Sequence, residues 1–224
     1  MGELGKIHQL IIPFFGHDIT LNLEVILMTW LVFFLLILVG FLSTRKRGIY
    51  PRAMQVFGEI FITQFYQITE DALDKKMAKT YGPLICALFM FLVLANWLGI
   101  IPSLEDPTKD LNTPLSLGIM GFVIAHAAGI KSKGFKAYAK EYFEPMFFMM
   151  PLNVIGELAK IVSISFRLFG NIMGGSIIIL VVSYLTYSVL LPPLLNAFFG
   201  LFVGTIQAFV FTMLTVVYIS VQVK

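Results

Sequence analysis

LNVIGELAKIVSISFRLFGNIMGGSIIILVVSYLTYSVLL, residues 152–191, runs for forty residues with three charges: Glu157, Lys160 and Arg167. So apolar a run reads as helix embedded in a membrane. Glu157 and Lys160 stand three apart on one helical face and neutralise each other. Arg167 has no such neighbour, because Glu157 is ten residues away, roughly 15 Å along a helix axis. A guanidinium keeps its proton in a protein, and a cation at bilayer depth costs at least about 2.5–3.5 kcal/mol. The reading therefore calls for a carboxylate on another polypeptide.

Composition agrees with a membrane setting. Hydrophobic residues make up 58% of the 224 and charged residues 13%, against about 25% charged in soluble domains. The expected class is all-α: a multi-span helical membrane protein. The single cysteine, Cys86, excludes an intramolecular disulfide and reads as a packing residue in an apolar run. The start of the chain holds a short apolar patch, Leu10–Phe15, with no small-residue cleavage site after it. It is expected to be retained, not removed as a signal peptide.

Outward from the long run, the chain divides into one membrane domain with five parts. Residues 1–22 form an N-terminal segment, and residues 23–42 a first span with one charge, Glu24, at its edge. Residues 51–79 carry an apolar stripe, Met54, Phe57, Phe61, Phe65, Ile68 and Ala72, opposite Gln and acidic residues. That pattern predicts an amphipathic helix in the interface or against a partner helix. Residues 81–130 predict a helical hairpin, Tyr81–Ile101 and Leu115–Ile130, with Asn112-Thr113-Pro114 opening the second span. Residues 145–223 hold two helices too long for a bilayer about 30 Å thick, since forty residues make about 60 Å of helix. The first is either two spans hinged at Gly174-Gly175 or one strongly tilted helix, and Pro192-Pro193 separates it from the second in a hairpin.

Charge placement predicts sidedness. Seven basic residues between Arg45 and Lys79, and Lys131, Lys133, Lys136 and Lys140, belong on the cytoplasmic side. The loop Ser103–Asp110, with Glu105, Asp106 and Asp110 against Lys109, then falls outside. One span before Arg45 puts the N-terminus outside, and the C-terminus is cytoplasmic.

On a helical wheel Glu157, Lys160, Ile164, Arg167, Asn171 and Gly174 share a face, as do Asn196, Gly200, Gly204, Gln207, Phe211 and Tyr218. Gly200 and Gly204 form a small-xxx-small pair that permits close helix approach. Taken alone, Asn171 and Gln207 read as interhelical hydrogen-bonding residues, and His126 as a packed or interfacial one. Arg167 reads as functional, because intramembrane charges mark ion and substrate pathways. There is no phosphate loop, metal-ligand spacing or nucleophile constellation, so no cofactor, metal, bound nucleotide or nucleic acid is expected.

The run Ser163-Ile-Ser-Phe-Arg167-Leu-Phe-Gly-Asn171, with Ile206-Gln207-Ala-Phe-Val-Phe211 and Tyr218, resembles subunit a of bacterial F-type ATP synthases. Asn96-Trp-Leu-Gly-Ile-Ile-Pro102, Asp110-Leu-Asn-Thr-Pro114, and Pro151 followed by Glu157 match in the same order, so the likeness runs from about residue 81 to 222. The resemblance implies a membrane stator lying against a rotating ring of c subunits and held by peripheral-stalk b subunits. It implies two offset half-channels, with no catalytic site on this chain, in the bacterial cell membrane. Arg167 then faces the ring carboxylate with Gln207 beside it; Glu157 lies along the cytoplasmic path, and Asp110 and Asn112 near the outer one.

Many members carry a carboxylate or histidine nine residues after the arginine, and some carry one seven before the glutamine. Ser176 and Gly200 stand there in this chain. Their neutrality opens sodium, beside protons, as the coupling ion. An independent transporter binding an anion at Arg167 is the alternative of another class, and it predicts paired halves that the chain does not display. A purely structural anchor leaves the cluster of Arg167, Asn171 and Gln207 without a reason.

Overall fold

The structure is a computed structural model and describes residues 9–14, 17–44, 53–101, 104–143, 150–185 and 191–224. Two strands, β1 (Gln9–Phe14) and β2 (His17–Asn22), pair antiparallel ahead of the first helix. The helices are α1 (Leu23–Thr44), α2 (Ala53–Ala72), α3 (Lys75–Leu98), α4 (Asn112–Lys133), α5 (Phe135–Phe143), α6 (Met150–Leu185), α7 (Leu191–Ala197) and α8 (Gly204–Val223). A 3-10 turn, Pro107–Lys109, lies between α3 and α4, and a π-helical segment, Phe198–Val203, joins α7 to α8 without a break. The membrane part is all-α, and the strand pair β1–β2 is the addition to what composition predicts.

Five helices among the described residues are long and apolar enough to cross a bilayer: α1, α3, α4, α6 and the continuous run Leu191–Val223. Helix α6 passes through Gly174-Gly175 unbroken, which decides between the two forms open from sequence. Its 36 residues span about 54 Å, so it fits a layer about 30 Å thick only when strongly tilted. The 33-residue run is in the same position. Pro192 and Pro193 sit in the first turn of α7, where their missing N–H groups cost no helical hydrogen bond.

Helix α3 is the centre of the fold. Its Ile85, Leu88 and Leu92 join Ile164 and Leu168 of α6, Ala125 of α4, and Phe211 and Ile219 of α8 in one buried core. Helix α1 lies at the edge of this core, joining it through buried Val32, and its exposed Trp30, Phe34 and Ile37 suit a lipid-facing side.

The stripe on α2 packs on protein. Phe61 and Phe65 stack against Phe89 of α3 at centroid distances of 5.7 and 4.6 Å, and Ser220 of α8 donates to the Ala72 carbonyl at 2.7 Å. Helix α2 ends at Ala72, so Lys75, Lys76 and Lys79 open α3. Small residues bring α4 against its neighbours. A Cβ at Gly118 would collide with Ser165, and one at Gly129 would stand 2.8 Å from the Gln222 carbonyl oxygen. Gly134, at φ +84°, ends α4 in a conformation that favours glycine.

Candidate functional site

Arg167 and Asn171 stand one turn apart on α6 and are exposed, while Gln207 is buried on α8. Asn171 Nδ2 donates to Gln207 Oε1 at 2.7 Å and clasps the two helices beside the arginine. Gln207 Nε2 is buried without a hydrogen-bond partner. Arg167 makes no hydrogen bond or ion pair among the described residues, although Glu157 and Lys160 on the same helix pair at 2.6 Å. The internal pairing and the isolation of Arg167, both expected from spacing, are therefore present.

The face around Arg167 is smooth. Gly156, Ser163, Arg167, Gly170 and Gly174 lie on one side of α6 by the 3.6-residue period. A Cβ at Gly156, Gly170 or Gly174 would meet nothing within 4 Å. A permanent cation thus projects from a helix face that another helix can approach closely.

Differently lined spaces lie toward the two ends of α6. Toward the start of α6, an open hollow of about 270 Å³ is walled by Asn153, Gly156, Glu157, Lys160 and Gln222. Lys160 Nζ also lies 5.7 Å above the centre of the Tyr218 ring. His126 lines a smaller space with Glu157, Lys160 and Tyr218. Toward the end of α6, Ser176 lines a cavity of about 20 Å³ with Asn96, Asp106, Asn196 and Gly200. Glu157 and Ser176 are ten and nine residues from Arg167 in opposite directions, roughly 15 and 13 Å along the axis.

Asp110 and Asn112 lie at the start of α4. Asp110 Oδ1 accepts from the Asn112 backbone N–H at 3.0 Å, and its Oδ2 accepts from Asn22 at 2.7 Å, tying the end of β2 to that helix. The end of α3 and the start of α8 are joined by Asn96, which donates to the Gly204 carbonyl at 2.9 Å and accepts from Thr108 at 2.8 Å. Asn196 donates to the Gly99 carbonyl at 3.1 Å, and Trp97 to Thr205 at 3.0 Å. These bonds hold the π segment, whose altered register precedes Gln207 by four residues; π segments are frequent at functional sites. A Cβ at Gly204 would stand 2.9 Å from Asn96 Cβ, so the glycine pair does permit the close approach its spacing predicts.

Sequence places Asp106 only in the acidic loop, and the fold makes it a buried carboxylate. It is 9% exposed, accepts from the Gly99 N–H at 2.6 Å, and lies 3.5 Å from Lys109 Nζ. Burial pushes its carboxyl above the ordinary value, against the opposing pull of Lys109 and the Gly99 N–H. Gly99 was the available signal, since a Cβ there would collide with this carboxylate.

Fold and site together define a polytopic α-helical membrane protein with a permanent cation, unpaired among the described residues, on an open helix face. The family of ATP synthase A chains matches residues 26–220, and the chain belongs to that family. It is 39% identical to ATP synthase subunit a of Moorella thermoacetica over 86% of this chain and 87% of the relative. It is 38% identical to ATP synthase subunit a 1 of Crocosphaera subtropica over 90% and 87%. It is also 38% identical to ATP synthase subunit a of Aliarcobacter butzleri, over 85% and 84%.

Proposed function

We propose that this chain is the ion-conducting stator subunit of an F-type ATP synthase in a bacterial cell membrane, with no active site of its own. The observation that carries the reading is Arg167, exposed and without a partner among the described residues on the glycine-lined face of α6, beside the Asn171–Gln207 clasp. The partner it lacks is the ion-carrying carboxylate of a ring of c subunits rotating past that face. As this carboxylate arrives, the fixed guanidinium lowers its proton affinity and drives release. Because Arg167 cannot deprotonate, it does not pass the proton on between the two sides.

The hollow at Glu157 and Lys160 serves the cytoplasmic half-channel, and the cavity at Ser176 the outer one. Asp110 and Asn112 shape the outer entrance. The N-terminus is outside and the C-terminus cytoplasmic, as the basic loops require. Peripheral-stalk b subunits hold the chain against the torque of the ring. Protons are the coupling ion we favour. Sodium gained weight from the neutrality of Ser176 and Gly200, yet Asp106 lines the same cavity and is titratable.

Disulfide cross-linking tests the reading. In a Cys86→Ser background, Gly170→Cys should cross-link to a cysteine placed one turn from the ring carboxylate. Cross-linking to b subunits alone would remove the stator assignment. Uptake of labelled sodium by ATP-energised vesicles in the presence of an uncoupler would replace protons by sodium.

A further inference from the structure

The cavity at the outer end of α6 has about 20 Å³ of free volume, room for about one water, and polar groups from several segments face it. Asn96 comes from α3, Ser176 from α6, Asn196 from α7 and Asp106 from the intervening loop. Among the described residues, Asp106 is the one titratable side chain in this wall, and the side chains contributed by α3, α6 and α7 are uncharged. Asn and Ser side chains can orient a water but cannot hold an added proton near neutral pH. Within this cavity, Asp106 is therefore the described lining residue able to store a proton.

We propose that Asp106 is the proton-accepting carboxylate of the outer half-channel, standing in for the titratable groups absent at Ser176 and Gly200. The inference rests on the stator reading. In the step, the carboxylate takes a proton from the outer medium and forms an O–H bond. That bond then breaks as the proton passes through the cavity toward Ser176 and the Arg167 face, and no electrons move.

The geometry suits the role. Oδ1 is held by the Gly99 N–H at 2.6 Å, which fixes the group against the last turn of α3. Oδ2 lies 3.5 Å from Lys109 Nζ, a loose contact that leaves it able to accept. Lys109 and Glu105, both from its own loop, are the charged groups acting on it. Burial outweighs Lys109 and raises the carboxyl above its ordinary value. Gly99 is what admits the carboxylate to this position.

The test uses the whole complex in vesicles, with ATP synthesis driven by an imposed gradient and measured against the pH of the outer-facing compartment. Asp106→Asn keeps an acceptor for the Gly99 N–H, so a packing role predicts normal synthesis. The relay predicts a loss of at least about tenfold, with Asp106→Glu retaining synthesis at a shifted outer-pH midpoint. Normal rate and midpoint in Asp106→Asn overturn the proposal. Should that variant fail to assemble, Ser176→Leu fills the cavity from α6 and is expected to cut synthesis at least about tenfold; unchanged synthesis again overturns it. Arg167→Ala in the same vesicles separates the two claims. If Arg167→Ala is inactive while Asp106→Asn is normal, only the role of Asp106 falls. If Arg167→Ala synthesises normally, the stator reading falls first.

Discussion

Asn171 and Gln207, thirty-six residues apart in sequence, meet at 2.7 Å and tie α6 to α8 one turn from Arg167. A hydrogen bond between membrane helices contributes only about 0.6 kcal/mol on average. Its value here is positional: it fixes the face on which the guanidinium is presented.

Gln207→Leu therefore separates position from stability. The variant loses one interhelical bond but also removes a buried amide N–H that has no partner. Thermal unfolding of the complex should change by no more than the equivalent of about 1 kcal/mol. ATP-driven ion pumping should fall several-fold. Unaltered pumping would show that the clasp does not set the arginine.

Glycines on the two long helices make opposite predictions. Gly204→Ala places a Cβ 2.9 Å from Asn96 Cβ, so it should destabilise the folded subunit by about 1–3 kcal/mol. At Gly170 a Cβ meets nothing within 4 Å among the described residues, so the purified subunit carrying Gly170→Leu should keep its melting temperature. Its association with the c ring should nonetheless weaken, seen as reduced co-purification.

Much of this was legible in the sequence. The isolation of Arg167 follows from charge spacing on a helix, and the mismatch between the run 152–191 and a single upright span follows from its length. Unresolved from sequence was whether Gly174-Gly175 breaks that helix; two glycines weaken a helix but, unlike proline, leave every backbone N–H in place. The π segment is hidden because Phe198–Val203 is equally apolar in either helical register. The burial of Asp106 was not legible for a different reason. Its loop has no periodicity, and its burial depends on Gly99 and the walls of α6 and α7, which come together only in the fold.

The raised carboxyl of Asp106 has a consequence for stability. Between its ordinary value of 3.8 and its higher folded value, the folded chain holds this proton more firmly than the unfolded one. The ionised group therefore costs stability above the folded value, and that cost vanishes below the ordinary one. Asp106→Asn should raise the melting temperature at pH 7, with the gain shrinking as the pH is lowered through the acid range. A gain that grows toward acid pH would contradict the shift.

Sidedness is open to labelling with a membrane-impermeant thiol reagent. In a Cys86→Ser background, cysteines replacing exposed Lys76 and Lys131 should react from the cytoplasmic side only. A cysteine replacing exposed Glu105 should react only from outside. Reaction of position 105 from the cytoplasm would exchange the two half-channels.

The central claim is that Arg167 is the fixed cation opposing a mobile ring carboxylate, and ATP-driven ion pumping by Arg167→Ala measures it most directly. Membrane vesicles carrying the assembled variant should hydrolyse ATP yet build no ion gradient. Arg167→Lys should fail as well, because a desolvated lysine can lose its proton and lacks the planar donor fork. A near-normal gradient in the alanine variant, at unchanged levels of assembled complex, would contradict the account.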